Sequence, residues 1–279
     1  MTSAVAVLNL LLTFLFGLVY APLKWLGPFW SLVAISWLVG IFMVWIFGKV
    51  SNQAAIRRTR DRLSSELIAL RLFKDDLRIF FGIQYQVLVW TLKYLKYSLV
   101  PMLILMAPTL LILIQLNLHY GARPLRVGEP ALVKVKFWDP AALGRGAVIR
   151  LEAPEGLKIE TQGVCIEETK EVCWRVRGVS PGRFDLTVSD GEMSVTKNVA
   201  VGGRLEGVSS MRTGAHWFTS LLHPGEAPIP RQSAIESIEI RYPELDLLIL
   251  GKNINWLILF LILSLGFGYA CKGFLGVQV

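Results

Sequence analysis

Four apolar stretches without an internal charge, Ala4 to Ala21, Phe29 to Phe47, Ser98 to Leu118 and Ile254 to Ala270, constrain this chain more than any other feature. A helix needs roughly 20 apolar residues to cross a hydrocarbon layer about 30 Å thick, and all four meet or approach that length. With 53% hydrophobic and 18% charged residues in 279, the chain lies outside the range of ordinary soluble domains. Residues 120 to 205, by contrast, carry charges and turn formers at the density of a soluble domain. The expected class is therefore a membrane α-helical protein with four transmembrane helices and a soluble insert. The first stretch lacks a basic n-region, and the Pro22-Leu23-Lys24-Trp25 that follows it does not resemble a small-residue cleavage site, so it reads as a retained helix and not a signal peptide.

Lys and Arg counts set the orientation, because short loops rich in positive charge stay cytoplasmic. Ten basic residues and four acidic ones lie between Lys49 and Lys96, whereas the loop before the second span has only Lys24. That places residues 49–97 in the cytoplasm, both termini inside, and a large periplasmic domain outside an inner (plasma) membrane. The outer region, 119–252, has 17 basic and 17 acidic residues, so the net charge of +8 is a topology signal facing anionic lipid. It gives no reason to expect nucleic acid as a direct partner. The resulting division is 1–48 for the first two spans, 49–97 for the cytoplasmic segment, 98–118 for the third span, 119–205 for the outer β-domain, 206–252 for an outer helix and linker strands, and 253–279 for the last span.

In the cytoplasmic segment Ile56, Leu63, Leu67, Leu70, Leu77 and Phe81 recur at helical spacing with charges between them, an amphipathic helix beginning near Ser51-Asn52. Gly82 is a plausible break before a second helix, Tyr85 to Tyr97, whose Trp90, Tyr94, Lys93 and Lys96 suit a headgroup boundary. The pair forms a hairpin on the inner leaflet. It serves either as a connector or, through Arg57, Arg58, Arg60 and Arg62, as a docking surface for a ribosome, a nascent chain or a partner helix.

From Pro124 the pattern changes to short segments rich in Val, Ile, Thr and aromatics: Ala131 to Trp138, Ala147 to Ala153, Leu157 to Thr161, Glu171 to Arg177, Arg183 to Val188 and Met193 to Val201. Turn formers separate them, Asp190-Gly191 being a strong hairpin signal. Such spacing predicts a small Ig-like antiparallel β-sandwich. Cys165 and Cys173 lie on the oxidising side, where a disulfide between them is expected, with two reduced thiols as the alternative. Cys271, at the cytoplasmic end of the last span, reads as packing or as a palmitoylation site. Arg212 to Leu222, with Trp217, Phe218 and Leu222, predicts an amphipathic helix at the outer membrane surface, and Ser237 to Tyr242 and Leu245 to Leu250 a last pair of strands.

His119, His216 and His223 are too few and too scattered for a metal cage, and glycine-rich phosphate loops and nucleophile motifs are missing. No cofactor, metal or catalytic residue is expected, and enzyme activity is not the expected function. The spans carry Asn9, Thr13, Ser31, Ser36, Gln115, Asn117 and Ser264 but no charge, which argues against an ion or proton pathway.

The order of a span entering the cytoplasm, a basic amphipathic hairpin, a span leaving it that contains Pro101-Met102-Leu103 and Ala107-Pro108, and a later returning span resembles the Oxa/YidC membrane-insertase superfamily. Leu99-Val-Pro-Met-Leu-Ile-Leu-Met-Ala-Pro108 is similar to that family's motif after the hairpin. The likeness covers Phe29 to Leu118 and Ile254 to Ala270 and is to the small members with a three-span core, such as the third subunit of the endoplasmic reticulum membrane protein complex. The chain departs from bacterial members in lacking a groove arginine and in having its β-domain interrupt the core. The resemblance implies a lipid-open groove lined by Ser36, Gln115 and Ser264, a hairpin that receives the client, and membrane-protein clients as partners beside the lipid bilayer. Two other functions stay open: an accessory subunit whose β-sandwich binds a periplasmic partner in a membrane complex, and an enzyme of an envelope pathway.

Overall fold

The structure, a computed structural model, describes residues 2–72, 77–139, 149–191, 193–203, 207–214, 216–245, 247–249, 251–274 and 276–277. Lys74 to Asp76, Gly144, Ala147, Val148 and Glu192 lie outside the described residues, as do the parts of the expected strands that fall there. Two helices, Gly27–Val50 and Phe80–Tyr120, are long and apolar enough to cross a membrane, and Val7–Leu23 and Trp256–Cys271 are shorter apolar helices.

The chain divides into two compact units. The first comprises residues 1–31 and 112–256: helix α1 (Thr2–Tyr20), a 3-10 turn (Ala21–Leu26), the C-terminal end of α4 (Leu77–Tyr120), the β-domain and the short helix α5 (Trp217–Leu222). The second comprises residues 32–111 and 257–279: most of α2 (Gly27–Val50), α3 (Gln53–Leu72), most of α4, and α6 (Trp256–Cys271).

α4 corrects the hairpin expectation. No break occurs at Gly82: α4 is one helix of 44 residues, about 66 Å at 1.5 Å per residue, through Gly82, Pro101 and Pro108. One glycine costs only about 1 kcal/mol in a helix interior, too little to end a helix flanked by Ile, Phe, Gln and Leu. Each proline deprives the carbonyl four residues earlier, Tyr97 or Ile104, of its donor, a loss that apolar helices tolerate.

The β-domain is entirely antiparallel within its sheets. β1 (Pro130–Phe137) lies between β5 (Glu171–Gly178) and β9 (Ile235–Ile240), giving the order β3-β5-β1-β9-β8, with β4 also paired to β5. Here β3 is Leu157–Ile159, β4 is Val164–Ile166 and β8 is Met211–Thr213. A second sheet has β2 (Arg150–Glu152), β6 (Gly182–Ser189) and β7 (Ser194–Val201) in the order β2-β6-β7. Alternate residues point inward: Val133, Val135 and Phe137 from β1, Trp174 and Val176 from β5, and Leu186, Val188 and Val199 from the second sheet meet in one core. The β6–β7 hairpin turns at Asp190-Gly191, where Gly191 takes φ +94° and the Asp190 carboxylate accepts the Met193 amide at 2.7 Å.

A boundary at 205 does not hold. β9 is a central strand whose Ile235, Ile238 and Ile240 are fully buried, and β10 (Leu247–Ile249) pairs instead with β11 (Lys252–Ile254). The expected outer helix is shorter than Arg212 to Leu222, because Met211–Thr213 pairs with β9 as β8.

Between α4 and β1 the Arg123 guanidinium grips both oxygens of Glu129 at 2.8 Å. With this bond as the main cause and despite partial desolvation, the Glu129 carboxyl is held at about 2. A lowered folded-state value stabilises above the unfolded value of 4.5 and is lost as pH falls from there through about 2. Glu129→Gln is therefore expected to cost about 1 kcal/mol at pH 7, since the pair is partly solvated, and nothing near pH 2. Thermal unfolding at both pH values checks this; an equal deficit at both would exclude it.

Candidate functional site

In the second unit α2 and α6 approach through glycine. A Cβ on Gly40 would lie 2.5 Å from the Ser264 carbonyl oxygen and 3.1 Å from the Gly268 nitrogen, and one on Gly268 would lie 3.1 Å from a Val44 methyl. Small residues that let backbones touch are the usual device for joining apolar helices, where no hydrophobic drive separates helix from lipid. Beside this seam lies a cavity of about 620 Å³ lined by Gly40 and Met43 of α2, Leu105 and Thr109 of α4, and Phe260 and Ser264 of α6. Its two aliphatic hydroxyls bond their own helices: Thr109 donates to the Leu105 carbonyl at 2.7 Å and Ser264 to the Leu261 carbonyl at 3.2 Å. The wall thus presents carbon, which suits an acyl chain or an apolar helix.

Of the three expected groove residues only Ser264 lines this cavity. Ser36 is fully buried, with its hydroxyl on the Leu32 carbonyl at 2.7 Å. Gln115 belongs to the first unit, where it is buried and shares hydrogen bonds of 3.3 and 3.4 Å with Thr13. Gly40, Gly268 and Thr109 were not singled out by the sequence reading. The signal was there: Ser36 and Gly40, and again Ser264 and Gly268, are small residues four apart.

α3 starts where expected. The Asn52 side chain accepts the Ala55 amide at 3.0 Å, an N-cap, and Ser51 donates to the Phe47 carbonyl at 2.6 Å. Ile56 and Thr59 face inward, whereas Arg57, Arg58, Arg60 and Arg62 are all exposed within the first ten residues of the helix. They lie in the second and third turns of a helix that begins at Gln53, with Asp61 and Glu66 four residues after Arg57 and Arg62. Farther along, Ile68 and Leu72 are exposed apolar residues.

The disulfide expectation is corrected. All three cysteines are free thiols. β4 and β5 set Cys165 opposite Val172 and Val164 opposite Cys173, and because directly opposed residues share a face, this one-residue offset puts the two thiols on opposite faces of the sheet. Burial, with Glu171 nearby, pushes the Cys173 thiol up, so less of it is thiolate at neutral pH. Brief maleimide treatment of the folded protein is expected to modify exposed Cys165 first and Cys173 severalfold more slowly. Peptide mass spectrometry reads the two rates, and a Cys165–Cys173 linked peptide from freshly extracted protein would contradict the register.

Where the first unit's helices end, Ser31 and Tyr120 hydroxyls lie 2.7 Å apart, and the Tyr20 ring packs on His119 at 4.5 Å. Asn9 donates to the Ser220 carbonyl at 2.6 Å. Asn9, Thr13 and Tyr20 of α1 thus meet polar partners within their own unit. Comparison with known proteins finds no family model and no curated protein that matches this chain.

Proposed function

We propose that the protein is an integral membrane protein of insertase-like architecture that assists the insertion or assembly of other membrane proteins. In this reading α2, α4 and α6 are the spans, residues 49–97 face the cytoplasm, and the β-domain, Ig-like in its pair of antiparallel sheets around one core, lies outside. The observation that carries it is the carbon-lined cavity of about 620 Å³ among three apolar helices, in the same unit as a helix crowded with exposed arginines. The cavity offers a place for an apolar segment to leave water, and the arginines attract the polar or acidic parts of a nascent chain or of the machinery delivering it.

The continuous α4 changes what the cytoplasmic segment is. Beyond the roughly 20 residues needed to cross, about 20 more of the same helix extend from the membrane, giving a rigid arm.

Replacing Arg57 and Arg58, or Arg60 and Arg62, with Gln should lower client insertion by several-fold in proteoliposomes. Protein abundance and orientation, read from cysteine labelling at Ser64 and Glu168, should stay unchanged, since exposed charges contribute only about 0 to 1 kcal/mol each. Unimpaired insertion of every client tested would withdraw the docking role of these arginines.

A further inference from the structure

We infer that α1 does not cross the membrane but lies in the plane of its outer surface beneath the β-domain, so that the N-terminus is extracytoplasmic and the chain has three spans. This rests on the reading above that the β-domain is extracytoplasmic.

The argument starts from the two faces of α1. Asn9, Leu12, Thr13, Phe16, Gly17 and Tyr20 are buried or half-buried, a helical repeat of three and four residues. Every residue between Val7 and Val19 outside this stripe is exposed, and all are apolar: Leu10 is 70% exposed, Phe14 68% and Leu18 66%. From Val7 to Tyr20 the polar groups of α1 therefore point at protein while the outer face is hydrocarbon.

What the stripe touches decides the placement. At one end Asn9 donates to the Ser220 carbonyl on α5, and the Ser220 hydroxyl in turn reaches the carbonyl of Gly214, which bridges to Ile229 just past β8. At the other end Tyr20 lines a cavity of about 450 Å³ with Arg123, Pro124 and Gly202. Between them Thr13 and Gly17 face Arg183 of β6 and Asn198 and Ala200 of β7 across a cavity of about 410 Å³. Asn9 and Tyr20 are separated by about 16 Å of helix. A helix crossing the bilayer beside α4 would follow it turn by turn, whereas the α1 stripe from Thr13 to Tyr20 touches only the last turns of α4, at Gln115, His119 and Tyr120, and at Asn9 it has already passed to α5.

The occupant of the exposed face is the acyl layer of the outer leaflet. The face bears no charge, and it is continuous with aromatic residues of the kind that settle at the membrane–water boundary: Trp25 in the following 3-10 turn, 84% exposed, and Trp217 and Phe218 on α5, which packs on α1. Seated this way α1 is an in-plane anchor holding the β-domain to the membrane.

Single cysteines in a background with Cys165, Cys173 and Cys271 replaced by Ser give the test. In intact cells an impermeant maleimide should label Ser3→Cys and Glu168→Cys, and should label Ser64→Cys only after permeabilisation. Spin labels at Leu10, Phe14 and Leu18 should report one common shallow depth in proteoliposomes. Protection of Ser3→Cys in intact cells, with a depth rising steadily along α1, would overturn the inference while leaving the β-domain outside. Failure of the Glu168 and Ser64 readouts would instead overturn the topology on which it rests. Labels shielded from both oxygen and a polar nickel chelate, with a dimer in native mass spectrometry, would put a second copy on this face and also overturn it.

Discussion

Gly40→Leu is expected to abolish the folded second unit. Its Cβ alone would stand 2.5 Å from the Ser264 carbonyl oxygen, and that oxygen is backbone, which cannot swing aside as a side chain would. α2 and α6 would have to separate and reopen the seam beside the 620 Å³ cavity. Overpacking a tight interior costs about 1–3 kcal/mol or more, so Gly40→Ala should already lower the melting temperature in detergent and Gly40→Leu should leave little monodisperse protein. Gly266 is the control, since a Cβ there meets nothing within 4 Å, and Gly266→Ala should be silent. A Gly40→Leu protein that melts like wild type would mean that α2 and α6 do not touch at this point.

Glu226→Gln is expected to destabilise the first unit by about 3–5 kcal/mol, as breaking a buried ion pair does. Lys197 projects from β7 with no exposed surface, and its ammonium is held by the Glu226 carboxylate and by the Ser209 carbonyl at 2.7 Å. Glu226 also accepts the Asn198 amide at 3.4 Å, so it fastens the chain after α5 to β7. Losing the carboxylate strands a buried cation, whereas Lys197→Met removes the cation and leaves a carboxylate whose side chain keeps 14% of its surface in solvent. Lys197→Met should therefore cost clearly less, and adding it to Glu226→Gln should recover stability.

The pH dependence separates this from a packing effect. Burial pushes the Lys197 ammonium below its ordinary 10.5, opposed by Glu226. Without Glu226 that depression deepens, so between the folded value and 10.5 the unfolded chain binds more protons and stability rises with pH. The deficit of Glu226→Gln should shrink as pH approaches 10.5; a deficit that stays constant would assign it to lost packing.

Much of the fold was legible locally. Apolar runs, the basic segment around Arg57 to Arg62, the Asn52 cap and the Asp190-Gly191 turn are short-range signals, each written within a few residues of where it acts. Alternation found the strands β1, β5, β6 and β7 nearly to the residue, because one face of each is buried. β4 and β8 escaped it: three residues carry no readable period, and β4 is exposed throughout.

The candidate site was less legible, and for a different reason. The resemblance pointed to Ser36, Gln115 and Ser264 among the polar residues of the spans, but in an apolar helix a hydroxyl can bond its own backbone, as Ser36 and Ser264 do, so polarity does not tell which face is open. The cavity is shaped by Gly40 and Gly268, whose importance depends on what stands opposite them.

By itself, then, the sequence determined which segments avoid water, which carry the positive charge, and where most strands and turns begin, since these follow from each residue's own chemistry and that of its near neighbours. Only the tertiary structure decided that β9 enters the sheet beside β1, about 100 residues away in the chain, that a one-residue register parts Cys165 from Cys173, and that Asn9 meets Ser220 across 211 residues. In α1 the spacing of Asn9, Thr13, Gly17 and Tyr20 marks one face locally, but what that face meets is decided by packing, which brings Ser220 and Gln115 to it from far along the chain.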